Sequence, residues 1–166
     1  MKILGIDPGI DNCGLAVIES SLDDYYLIWW DTISPPKKVG IPEKLSFIYD
    51  KLSQVLHEHK PDVISIEKFS EKLAKAAREL IYVEGIVFLL AGIYGIKVKS
   101  YSSRELKKFF TSFGSADKTS IINRFEALKN SEFFKNSDAI TNTSNPDHHR
   151  IDALVAALFA SFERTF

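Results

Sequence analysis

The chain has one cysteine among its 166 residues. No intrachain disulfide can form, and so little thiol suits a reducing cytoplasm, which is the expected location. Cys13 falls in the apolar run CGLAVI and reads as a small core residue rather than a nucleophile. Long hydrophobic runs are also missing. The longest, GIVFLLAGIYGI from Gly85 to Ile96, is too short to span a bilayer and includes three glycines. The N-terminus has no signal-peptide pattern, so no membrane partner is expected. Net charge is nearly absent, at -1 from 21 Lys and Arg against 22 Asp and Glu. Gly5, Gly9 and Gly14 do not make G-x-G-x-x-G, which excludes a Rossmann dinucleotide site. There are no repeats and no low-complexity tract.

What is present is unevenly spread. Residues 1–34 hold one lysine and six acids, whereas residues 97–129 hold eight Lys and Arg and three acids. A local basic stretch can meet phosphate even when the total charge is neutral, although charge alone equally describes a solvated face. At 45% hydrophobic and 26% charged, the composition is that of a globular protein, and the length fits one domain over 1–166 with a sizeable core.

Three strand-like runs come first, Lys2–Asp7, Cys13–Glu19 and Tyr25–Ile33, with short polar connections that favour an antiparallel meander. SPPKKVGIP breaks the pattern. From Glu43 to His59, Leu45, Ile48, Tyr49, Leu52, Val55 and Leu56 recur at helical spacing, with Pro42 suited to the first turn. VISIE predicts a fourth strand ending in Glu67, residues 71–94 a long helix, and Ile96–Tyr101 a fifth strand. Ser102 or Ser103 can cap a helix to Phe110, and Asp117 one to Leu128. Residues 129–147 read as a polar loop, and His148–Glu163 as a closing helix. Helical crossovers make strands one, four and five parallel. The expected fold is α/β, with a mixed five-stranded sheet and helices on both faces.

In that arrangement Asp7 and Glu67 end neighbouring parallel strands, and both carboxylates emerge at the carboxyl edge of the sheet, where sites form in open α/β folds. Gly9 lets the chain turn away sharply. The closing helix, HHRIDALVAALFA, is almost wholly apolar apart from Asp152, an awkward charge unless it has a partner. Either His148 or His149, four or three residues earlier, can share its face. Carboxylates with one imidazole suit Mg²⁺ or Mn²⁺ better than structural zinc. A pair of such ions about 4 Å apart is the usual apparatus for attack of water on a phosphodiester. Spacing alone leaves plainer roles open, including a turn Asp at position 7 and an Asp152–Arg150 pair.

The same residues carry a resemblance. ILGIDPG, PDVISIEKF, the run from Gly85 through Tyr101, Arg104, Leu106 and Lys107 to GSADK at Gly114–Lys118, and HHRIDALVAALFA together resemble the RuvC family of Holliday-junction resolvases, over nearly the whole chain. The resemblance implies an RNase H-like fold. It implies that Asp7, Glu67 and Asp152 are metal-binding acids and His149 the fourth ligand, holding two Mg²⁺ per active site, with Mn²⁺ as a substitute. It further implies that Arg104, Lys107 and Lys118 contact DNA, that Phe69 stacks on bases at the junction, and that two copies act as a homodimer through the long helix. Phe69 stands two residues after Glu67 rather than three, Glu84 replaces an expected Arg, and Ser112 an expected Gly. These departures touch DNA-contacting parts, leave the metal ligands intact, and suit a divergent or phage-type member.

The expected activity is paired, symmetric nicking of four-way DNA junctions, leaving 5′-phosphate ends. The alternatives are an RNase H-like nuclease acting on other branched DNA, flaps or RNA/DNA hybrid, and a non-catalytic junction-binding module, which would have lost a metal ligand. Actin-like ATPases, which also begin with an Asp near a Gly, need two such domains. The expected partners are branched DNA and a second copy of the chain. A branch-migration helicase is a further partner on which the residues do not decide.

Overall fold

The computed structural model describes residues 1–21, 24–68, 77–131, 133–135 and 146–163. Phe69, the first residues of the long helix expected from 71, and much of the loop expected over 129–147 lie outside these residues. Five strands, β1 (Lys2–Asp7), β2 (Cys13–Ser20), β3 (Tyr25–Ile33), β4 (Val63–Lys68) and β5 (Lys97–Ser102), form one sheet in the order β3-β2-β1-β4-β5. β1, β2 and β3 pair antiparallel, and β4 runs parallel to both β1 and β5, as the connection lengths require. The helices are α1 (Ile41–His59), α2 (Ala77–Tyr94), α3 (Ser103–Thr111), α4 (Lys118–Lys129) and α5 (His148–Phe162).

Alternation along the strands assigns each side chain to a layer. Leu4 and Ile6 of β1, Leu15 and Val17 of β2, and Ile64 and Ile66 of β4 join Ile48, Leu52, Val83, Val87 and Leu90 in the core under α1 and α2. Ile3, Ala16 and Ile18 point the other way, into the core formed with α3, α4 and α5. Asp7 is in phase with Ile3 and Gly5, and Glu67 with Ser65, so both acids rise on the α5 face. Ile6 pairs with Ile66 across β1 and β4. One further step in that register sets Asp7 beside Glu67.

α5 lies unusually near the sheet because the residues between them are small. A Cβ at Gly5 would stand 1.9 Å from the carbonyl oxygen of Ala153, and the Ser65 hydroxyl donates to the carbonyl of Ala156 at 2.6 Å. Ala153, Ala156, Ala157 and Ala160 are all buried along the helix. An almost wholly apolar helix, read from sequence as awkward around Asp152, is therefore the central rod of its layer, with its polar start aimed at the strand ends. No helix among the described residues is long and apolar enough to cross a membrane.

Candidate active site

Two strands and three helices bring residues to one cleft of about 260 Å³, whose lining includes Asp7, Glu67, Lys107, Lys118, His148, His149 and Asp152. β1 and β4 bring Asp7 and Glu67. α5 brings His149 and Asp152, and its start is bolted to β3: Asp147 caps it by accepting from the Arg150 N–H, and the Thr32 hydroxyl donates to Asp147 at 2.8 Å. Arg150 pairs with Asp31 and Asp147, so its charge is directed toward β3 and its pairing is with those two acids rather than with Asp152. α3 and α4 supply Lys107 and Lys118. Leu106, Phe110, Ile121 and Val155 give the cleft an apolar wall.

The two histidines have different partners. His149 Nδ1 lies 2.7 Å from Asp7 Oδ2. That bond raises the proton affinity of the His149 imidazole, outweighing the opposite effect of burial. His148 Nε2 lies 3.0 Å from Lys118 Nζ. An ammonium has no lone pair to offer, so His148 accepts there and carries its proton on Nδ1. Burial and the neighbouring charges of His149 and Lys118 lower its proton affinity, which suits this neutral tautomer. The rings pack against each other with centroids 3.9 Å apart.

Crowding of the acids is visible in their protonation. Burial, Asp7 and Glu67 push the Asp152 carboxyl up to about 7. Burial and Asp7 likewise raise Glu67, against the opposing effects of a hydrogen bond with Ser103 and the charge of Lys107. Ser103 was legible in sequence only as one of two candidate caps. Ser102 takes that role, accepting from the Glu105 N–H while Glu105 reaches back to the Ser102 N–H. The Ser103 hydroxyl is thereby left for Glu67.

Three half-buried carboxylates share this cleft, and crowding raises the proton affinity of Glu67 and Asp152, so a hard divalent cation is the species that their oxygens suit. No three His, Cys, Asp or Glu side chains among the described residues close round a point as a complete metal cage would. They line a cleft instead, an arrangement that fits an ion retaining several waters, as Mg²⁺ does. Arg104, expected at the DNA, is not part of the cleft lining; its side chain packs under Gly114.

Comparison with known proteins agrees with this geometry. The family model described as Crossover junction endodeoxyribonuclease RuvC matches residues 3–158. A crossover junction endodeoxyribonuclease RuvC of Wolbachia pipientis wMel is 31% identical over 166 residues, covering 99% of this chain and 96% of the relative. That of Dehalococcoides mccartyi strain 195 is 33% identical over 131 residues, covering 78% and 79%. Among solved structures, Thermus thermophilus RuvC in complex with Holliday junction substrate superposes with a TM-score of 0.80 at 23% identity, covering 99% of this chain and 94% of that one. A family match running from the first strand into the closing helix, on a sheet and helices of the same arrangement, means that this chain belongs to the RuvC family of crossover junction endodeoxyribonucleases.

Proposed function

We propose that the protein resolves four-way DNA junctions by divalent-cation-dependent hydrolysis, with Asp7, Glu67, His149 and Asp152 as the ligands of two Mg²⁺ ions. The observation that carries this reading is the meeting of these four side chains, from positions spread over most of the chain, in one cleft with Lys107 and Lys118. Held by these side chains, the cations would supply a lowered pKa for the attacking water and charge stabilisation for the leaving 3′ oxygen. The chain's own residues do the positioning. Ser103 holds the Glu67 carboxylate through its hydroxyl. Asp7 fixes the imidazole of His149. Lys107 and Lys118 receive the phosphates that flank the scissile bond, and the apolar wall beside them limits water to the reacting face.

The resolvase acts as a homodimer through α2. Val83, Val87, Leu90 and Ala91 bury one side of this helix, while Ile81, Phe88, Leu89 and Ile93 stay exposed on the other. A Cβ at Gly85 or Gly92 would meet nothing within 4 Å, so the backbone there is open to close approach. A two-fold axis through this face would present two cleavage sites to two strands of like polarity.

Cleavage of matched four-way, three-way, flap and linear DNAs with Mg²⁺ or Mn²⁺ tests the proposal. Paired nicks, symmetric across the four-way junction and bearing 5′-phosphates, are expected. Equal cutting of all four substrates, or faster cutting of flaps, would overturn it.

A further inference from the structure

Phe113 is 70% exposed, more than any other large apolar side chain among the described residues. It stands on the link between α3 and α4, and that link is tied down. The Thr111 hydroxyl lies 2.8 Å from the Lys107 carbonyl and accepts the Phe113 N–H at 3.3 Å. The Phe113 carbonyl accepts from the Ala116 N–H at 3.2 Å. Arg104 fills the space beside Gly114, where a Cβ would lie 2.8 Å from its Cγ. Ser112 is left-handed at φ 69°, a conformation that a residue with a Cβ rarely adopts. A ring set out into water on a strained and tethered loop adds little to the fold's own burial.

Beside the ring is an open groove of about 690 Å³, lined among others by Ser115, Asp117, Asn123 and Arg124. It adjoins the cleft: Thr111 lines the groove and Phe110 the cleft, and Asp117 lines the groove and Lys118 the cleft. The two acids nearest in sequence are engaged, Glu105 in the cap of α3 and Asp117 in the cap of α4. Arg124 lines the groove and Lys107 and Lys118 line the adjoining cleft, so the groove continues the cationic side of the cleft and adds one aromatic face. That combination matches a nucleic acid strand, whose phosphates meet the cations and whose base faces meet the ring.

We propose that Phe113 and this groove form a second DNA-contact site, in which the ring stacks on an unpaired or unstacked base of the strand leaving the cleft and Arg124 meets a backbone phosphate. The site rests on the resolvase reading above and extends it. Base faces are open at a branch point and closed inside a duplex, so Phe113 discriminates branched from linear DNA while Arg124 does not.

Binding of a fluorescent four-way junction and of a matched linear duplex, measured with Ca²⁺ replacing Mg²⁺, tests this. Phe113→Ala and Phe113→Leu should weaken junction binding by roughly tenfold and leave duplex binding unchanged, while Phe113→Trp retains it. 2-Aminopurine beside the crossover on the strand to be cut should be quenched by the wild type and not by Phe113→Ala. Arg124→Ala should lower the salt slope by about 1 on both DNAs. Equal junction binding by wild type and Phe113→Ala with unchanged 2-aminopurine signals, or an equal loss on junction and duplex, would overturn the proposal. A wild type that binds both DNAs alike would instead remove the resolvase reading on which it stands.

Discussion

Gly14 lies directly beneath His149: a Cβ added to the glycine would stand 2.0 Å from the histidine's carbonyl oxygen. The backbone of β2 thus carries the start of α5, and Gly14 pairs with Asp7 across the β1–β2 ladder. Gly14→Ala should push the first turn of α5 away from the sheet and with it both His149 and Asp152. The expected cost is about 1–3 kcal/mol of stability from overpacking. Cleavage should fall further than that stability loss explains, because His149 and Asp152 part from Asp7 and Glu67. Thermal melts and single-turnover rates on one preparation check this; a fully active variant would mean that α5 absorbs the methyl without moving.

Acid protonation gives a stability prediction with a definite sign. The folded state raises Asp152 from 3.8 to about 7, and raises Glu67 and His149 as well. A group whose folded pKa is raised binds more protons when folded, so its stabilisation is complete below the unfolded pKa and is lost as pH climbs through the folded one. For Asp152 that window runs from 3.8 to about 7. The metal-free protein should therefore lose stability across it. Asp152→Asn should flatten the dependence, and Mg²⁺ should raise the melting temperature more at about pH 8 than at about pH 5. Melts in chelator and in Mg²⁺ across this range decide the matter; stability that rises with pH in chelator would contradict the crowding of the acids.

Because the cation must displace protons from these same groups, the acid limb of the cleavage rate should move to lower pH as Mg²⁺ is raised. Asp7→Asn should abolish cleavage and keep junction binding. His149→Ala should reduce the rate by orders of magnitude, with His149→Asp retaining part of it. Rates across pH at limiting and saturating Mg²⁺ test the coupling, and an acid limb fixed in position would sever it from metal binding.

His148 lines the cleft and holds Lys118 there. His148→Ala should be milder than His149→Ala, and it should cost less in a Lys118→Ala background than alone, since the two removals share one interaction. Lys118→Ala and Lys107→Ala should each lower the salt slope of junction binding by about 1. Additive losses from the His148 and Lys118 variants would show that their 3.0 Å contact is idle.

Phe88 and Ile93 are exposed on α2. Phe88→Glu or Ile93→Asp should convert the proposed dimer into monomers without lowering the melting temperature of the subunit, and should uncouple the two nicks. Sedimentation together with a supercoiled cruciform assay reads both effects. A wild type that sediments as a monomer yet nicks symmetrically would remove α2 from the mechanism.

Much of this arrangement was legible before any coordinates. The β1 pattern placed Asp7 at a strand end, VISIE did the same for Glu67, and helical spacing put a histidine over Asp152. Several features were not legible, because they depend on pairings across many residues. The register that brings Ile6 to Ile66 spans 60 positions, and nothing local encodes it. The division of labour between His148 and His149 depends on how α5 is rotated over Gly14, and both residues satisfy the helical period. Ser103 was masked by its neighbour, since either serine can cap. Arg104 carries the right charge for DNA, but the bend at Gly114 draws its stem against the loop.

The bond between Asp7 and His149 closes a loop of 142 residues. During synthesis Asp7 leaves the ribosome long before the helix that carries His149 and Asp152. Until α5 settles on the bare backbone of Gly5 and Gly14, β1 and β4 offer two acids and no site. A half-made chain, or one cut short before α5, therefore lacks the cleft proposed to cut DNA. Chain order itself acts as a safety catch on the nuclease.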